Sequence, residues 1–258
     1  MSERRNVSGP MRPRPALLLL HGFLGSGDDW DYIASQFEPD IRVLAPDLPG
    51  HGVAVDLQPS AYTMDGAADD LIQNLDHEGI HKTMAVGYSM GGRLALHLAL
   101  RHPDRVDKLV MLSASPGLRT EDERARRRDL DCQRATEIKA DLGGFLQRWY
   151  SMAPFELLDS HTREALIAKR SWNNPAELQK SLEGMGTGAQ SSHWEHLHQI
   201  RFPARAVAGA RDTKFVAIAN EIAEATVFDA VIIPDVGHAL LNEGPEHITF
   251  LLRELLFV

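Results

Sequence analysis

Cysteine is almost missing from this chain: one residue in 258, Cys132, which has no intrachain partner for a disulfide. The fold must then rest on its apolar core, as expected in a reducing compartment, and the cytoplasm is the expected location. A basic surplus is missing too. With 27 Lys and Arg against 36 Asp and Glu, the net charge is −9, opposite in sign to the basic footprint of a nucleic-acid binder. Long hydrophobic runs are also lacking. The apolar stretch Ala16 to Leu20 follows basic residues, as in a signal peptide, but it is too short for a membrane span and ends in His21-Gly22, not at a small-residue cleavage site. It is expected to be a buried strand, with residues 1–15 as a loose tail. No repeat or low-complexity segment stands out, and GMGTG at Gly184 to Gly188 lacks the lysine of a phosphate-binding loop.

What is present alternates. Short apolar runs without polar interruption, the mark of strands covered on both faces, lie at Ala16 to Leu20, Ile41 to Ala45, Thr83 to Val86, Leu109 to Leu112, Ala204 to Ala208 and Ala230 to Ile233. Between most of them, three- and four-residue apolar spacing predicts helices at Tyr62 to Glu78, Gly91 to Arg101, Phe215 to Ala225 and Glu246 to Leu256. Strands alternating with helices imply an α/β fold with a mostly parallel central sheet flanked by helices. From about Gly117 to Ile200 the alternation stops, and charged, helix-forming sequence takes over. The expected organisation is one core made of residues 16–116 and 201–258, with residues 117–200 inserted as a helical cap.

The chemistry centres on Gly87-Tyr88-Ser89-Met90-Gly91, a G-x-S-x-G sequence between a strand and a helix, the setting of a nucleophile elbow. Serine is a poor nucleophile or base at neutral pH, so it needs a histidine to take its proton and an acid to fix that imidazole. In this arrangement both follow the serine, each just past a late strand. Asp212 in GARDTKF and His238 in PDVGHALLNEGP fit that order, whereas Asp235 is too close in sequence to His238 to reach its far nitrogen comfortably. His21-Gly22-Phe23 leaves the first strand as a glycine-containing loop, so the Phe23 and Met90 N–H groups are expected to form an oxyanion hole. His21 itself is expected to organise that loop. The histidines His193, His196 and His198 match no zinc signature, and a triad needs neither metal nor cofactor.

Arg93 lies four residues after Ser89, on the same helix face. Alone, that spacing fits a structural ion pair best. The inserted segment adds Arg124, Arg127 and Arg128 at helical spacing, and Arg170 follows. Arginines gathered above such a serine point to a small substrate with several carboxylates, held by forked hydrogen bonds.

Taken together, HGFLGSGDDW, DLPGHG, GYSMGGR, SPGLRTEDER, RSWNN, GMGTGAQSSHW, GARDTKF and VGH resemble the SHCHC synthases of menaquinone biosynthesis, a family on the α/β-hydrolase fold. The similarity runs from about residue 16 to the C-terminus. It implies a lyase that eliminates pyruvate from 2-succinyl-5-enolpyruvyl-6-hydroxy-3-cyclohexene-1-carboxylate (SEPHCHC), giving 2-succinyl-6-hydroxy-2,4-cyclohexadiene-1-carboxylate (SHCHC). It also implies substrate contacts from Tyr88, Arg93, Arg127, Trp149 and Arg170 and, by looser correspondence, from Arg124 and Lys214. The chain departs from the family at Ala239 to Asn242, after the late Gly-His, and at Ser113 to Ser115. The rival reading keeps the triad and makes the protein a carboxylester or carbon-carbon bond hydrolase; a ligand sensor with a slow triad is a further one. A monomer or weak homo-oligomer is expected.

Overall fold

A computed structural model of the chain describes residues 14–37, 39 and 41–257, so most of the expected N-terminal tail lies outside the described residues. Strand β1 (Ala16–Leu20) leads through a 3-10 turn at Gly27–Trp30 and the short helix α1 (Asp31–Ser35) to β2 (Arg42–Leu44). Helix α2 (Met64–His77), strand β3 (Thr83–Tyr88), helix α3 (Met90–Arg101) and strand β4 (Val106–Leu112) follow. Four successive helices, α4 (Glu121–Ala140), α5 (Leu142–Tyr150), α6 (Ser160–Arg170) and α7 (Pro175–Met185), then separate β4 from β5 (Ala204–Gly209). Helix α8 (Thr213–Ala225), β6 (Phe228–Ile233), α9 (Leu240–Glu243) and α10 (Pro245–Leu256) complete the order. Among the described residues, no helix is long and apolar enough to cross a membrane.

The six strands form one parallel sheet in the order β2-β1-β3-β4-β5-β6. The leucine run of β1 shows why central strands carry no alternation: Leu18 and Leu20 enter one core with α2, α3 and α8, while Leu17 and Leu19 enter another with α1 and α10. Each buried leucine contributes about 1.5–3 kcal/mol, so both faces of the sheet are strongly specified. The two edge strands differ from the expectation of full burial. β2 is half-buried and only three residues long, and β6 exposes Asp229 and Ile232, because each has a neighbour on one side only. Helix α2 starts at Met64, two residues later than expected, because the Thr63 hydroxyl accepts the Gly66 N–H (3.0 Å) as an N-cap and Tyr62 ends the preceding turn.

The four inserted helices have a core of their own, built from Ala135, Ile138, Phe145, Leu146, Leu166, Leu178 and Leu182. Leu24 from the loop after β1 and Ala239 from the loop after β6 join this cluster, which anchors the inserted helices over the carboxyl ends of the strands. Their boundaries follow side-chain caps: Thr120 and Glu123 form a capping box at α4, and Asp159 accepts the Thr162 N–H (2.8 Å) at α6.

Candidate active site

Between β3 and α3 the chain reverses at Ser89, which has φ +52° and ψ −106°, backbone angles that ordinary residues avoid and that cost about 1–3 kcal/mol. Crowding explains the flanking glycines. A Cβ on Gly87 would collide with the Gly91 carbonyl, and one on Gly91 with the carbonyls of Leu20 and His21. The turn is held by the Ser89 N–H donating to the Leu112 carbonyl (2.8 Å). Because β1 pairs with β3 in the register Leu20 to Gly87, the loop that begins at His21 leaves the sheet beside the elbow, where the strand order reverses direction.

The residues expected as acid and base come from the next two strand ends. Strands β5 and β6 pair up to Gly209 and Ile233, so the loops carrying Asp212 and His238 emerge side by side. His238 Nδ1 lies 2.6 Å from Asp212 Oδ2, and Asp212 Oδ1 also accepts the Phe215 N–H (3.4 Å) at the start of α8. The carboxylate thus holds the imidazole proton on Nδ1 and leaves Nε2 as an acceptor. Glu243 fixes the loop from behind, accepting the N–H groups of Gly237 (2.6 Å) and Ala239 (3.0 Å). Asp235 is exposed and pairs with Arg211 instead. Ser89 and His238 face one cavity but are not hydrogen-bonded to each other.

Neither the Phe23 nor the Met90 N–H donates to a protein acceptor among the described residues. The loop that presents Phe23 is organised by two buried histidines. The Leu48 N–H donates to His21 Nε2 (2.9 Å), and the Leu24 N–H to His51 Nε2 (3.1 Å), while the Nδ1 atoms face the carbonyls of Gly22 and Pro49. Both rings must therefore be neutral, and burial holds both below the usual histidine range, His51 strongly so. A lowered folded-state pKa means that acid favours the unfolded chain: this stability is intact above the unfolded value of about 6.5 and is lost as pH falls below it. Urea unfolding should show a falling midpoint from pH 7.5 to 5. The fall should be smaller for His51→Gln, whose amide oxygen accepts without titrating, and an equal fall in both proteins would contradict this role of His51.

The cavity between these groups measures about 50 Å³. It brings together Phe23, Tyr88, Ser89, Trp149, Arg170 and His238 from the expected set. Burial pushes the Tyr88 phenol well above its usual range, so it faces the cavity as a neutral hydroxyl. Arg93, Arg124, Arg127 and Lys214, expected as substrate contacts, do not line it. Arg93 shares the serine's helix face as the spacing requires, but it is buried and donates to Gln190 Oε1 and to the Met185 carbonyl at the end of α7 (2.8 Å each). Burial pushes its guanidinium down to about 10, which still leaves it charged at neutral pH. Arg127 pairs with the buried Asp131 (2.8 Å), next to Arg134. Arg124 pairs with Glu121 and opens with Arg119 and Arg128 on a separate outer groove, and Lys214 packs against Phe215 on α8. His193 bonds to His97 (3.0 Å), which bonds in turn to Asp65 (2.8 Å).

Among the wall residues outside the expected set, Asp29, Tyr150 and Asn242 bring polar side chains. Asp29 lies within the HGFLGSGDDW stretch. Asn242 lies within the stretch that departs from the family pattern.

The sequence family described as alpha/beta hydrolase fold matches residues 15–245. A Citrobacter koseri protein named 2-succinyl-6-hydroxy-2,4-cyclohexadiene-1-carboxylate synthase is 35% identical, with 98% of each chain covered. A Salmonella typhimurium protein of the same name is 35% identical, with 94% of each covered. The solved structure of MenH from S. aureus superposes with a TM-score of 0.90 at 27% identity, covering 96% of this chain and 95% of that one.

Proposed function

We propose, from the premise that this chain belongs to the 2-succinyl-6-hydroxy-2,4-cyclohexadiene-1-carboxylate synthase family of the α/β-hydrolase fold, that it is a lyase making that compound for menaquinone biosynthesis by eliminating pyruvate from SEPHCHC. Asp212 keeps the His238 proton on Nδ1, so Nε2 accepts the Ser89 proton as Oγ removes a proton from the carbon beside the succinyl ketone. The electron pair left on that carbon forms a ring double bond, the existing ring double bond shifts one position, and the C–O bond to the enolpyruvyl group breaks. The departing enolpyruvate takes up a proton and becomes pyruvate. Negative charge that gathers on the ketone oxygen meets the free N–H groups of Phe23 and Met90, and one such donor is worth about 2.7–4 kcal/mol.

The observation that carries this reading is the meeting, in one cavity, of the Ser89 hydroxyl, the accepting face of His238 and the guanidinium of Arg170. A substituted cyclohexene with three carboxylates needs a pocket nearer 300 Å³ or more. The helices of residues 117–200 act as a cap that must shift to admit it, which moves Arg124 and Arg127, parts Arg93 from the end of α7 and leaves these arginines and Lys214 open to outer carboxylates while Tyr88, Trp149 and Arg170 meet the ring. The enzyme works in the cytoplasm on this small anionic substrate. Purified protein given freshly made SEPHCHC should release pyruvate in step with the diene absorbance, with negligible turnover of p-nitrophenyl acetate. Ester turnover without pyruvate would make it a serine hydrolase.

A further inference from the structure

The Ser89 cavity contains one carboxylate and one guanidinium, and they hold each other. Arg170, the last residue of α6, donates from both terminal nitrogens to Asp29, at 2.8 Å to Oδ1 and 2.6 Å to Oδ2. Both side chains are nearly buried, 8% and 11% exposed, and both line the cavity. Lys169 adds a third contact to Asp29 at 3.0 Å, and the Arg170 Nε–H faces the Tyr150 hydroxyl at 3.4 Å. Asp29 belongs to the 3-10 turn after β1, so the pair ties the inserted helices to the sheet directly above the serine. This forked geometry is the one a substrate carboxylate would take. The remaining lining residues are neutral or, in His238, already bound to Asp212, so no other fixed cation of the wall is available to an incoming anion.

We propose that Asp29 is a specificity-determining residue for the reaction: its carboxylate occupies Arg170 in the free protein and yields to an incoming carboxylate, so the cavity opens to anionic ligands and stays closed to neutral ones. This rests on reading the Ser89 cavity as a carboxylate-binding site. An internal carboxylate lowers apparent affinity, because only molecules whose Arg170 is released can bind ligand. It also turns away neutral esters, which offer the guanidinium nothing in exchange for Asp29. A serine of this kind is thereby withheld from adventitious acyl donors.

Calorimetric titration with tricarballylate, a tricarboxylate without a reacting bond, tests this. Asp29→Asn keeps the shape of the side chain and removes the competing charge, and it should bind about tenfold more tightly than wild type. Arg170→Met should bind poorly. Equal or weaker binding by Asp29→Asn would overturn the proposal and make Asp29 a residue that only positions Arg170. Absence of binding by every form would overturn the carboxylate-site reading, and this proposal with it, a pattern distinct from binding that ignores Asp29. If Asp29→Asn does not fold, the ¹³C resonance of the Asp29 carboxyl in wild type decides the matter. It should move on saturation with tricarballylate as Arg170 leaves, and an unmoved resonance at saturation would overturn the proposal.

Discussion

Replacing Ser89 by alanine should lower kcat for pyruvate release by about 10²–10⁴-fold, the usual contribution of a positioned general base, with KM changed little. The size of the loss discriminates between mechanisms. A serine that forms a covalent intermediate costs about 10⁶-fold when removed, because the whole pathway runs through it. A serine that only relays a proton leaves the Phe23 and Met90 N–H groups and the arginine anchor in place. Stability supplies an independent check, since Ser89 sits at φ +52°. Ser89→Gly removes the backbone strain of about 1–3 kcal/mol and should unfold at a higher urea concentration than Ser89→Ala while being equally inactive. Full activity in a folded Ser89→Ala protein would remove the serine from the mechanism.

Asp212→Asn should lower kcat by about 10²–10⁴-fold, no more than loss of the serine itself, because the orienting carboxylate acts only through that base. The carboxylate at 2.6 Å from Nδ1 can only accept, so it fixes the proton there. An amide can donate to Nδ1 instead and turn the N–H toward Ser89, which leaves no base facing the hydroxyl. Asp212 stands behind His238 and does not line the cavity, so KM should stay nearly constant. Asp235→Asn is the control. That residue is three positions from His238 in sequence, but its side chain is 88% exposed and pairs with Arg211 at 3.3 Å, and its neutralisation should leave kcat within about twofold, as for surface changes generally. A large loss in Asp235→Asn with none in Asp212→Asn would reassign the acid.

Much of this arrangement is legible along the chain. Central strands declare themselves by unbroken apolar runs, and the elbow by glycines that leave no room for a Cβ. Asp212 and His238 are legible because chain order and strand ends together restrict where the partners of a serine can stand. Side-chain destinations are less legible. Helical spacing correctly puts Arg93 on the face of Ser89, but the end of α7, from a segment about 90 residues away, offers it a carbonyl that no periodicity announces (2.8 Å). Asp29 shows the same limit more sharply: its partner Arg170 is 141 positions away, and a buried ion pair between such distant residues leaves only two ordinary charged letters in the sequence. His21 is legible as an organiser of its loop, but its work and that of His51 as neutral acceptors for backbone N–H groups emerge only with the loop geometry.

In the proposed reaction Ser89 takes a proton and water takes no part in breaking the substrate. Running the reaction in H₂¹⁸O with freshly made SEPHCHC, and weighing the ring product early by mass spectrometry, tests this most directly. The expected result is stoichiometric pyruvate and a cyclohexadiene product with no ¹⁸O in its carboxylates. A ring product or fragment carrying ¹⁸O in a new carboxylate, formed without pyruvate, would show acyl transfer through Ser89 to water and contradict the lyase.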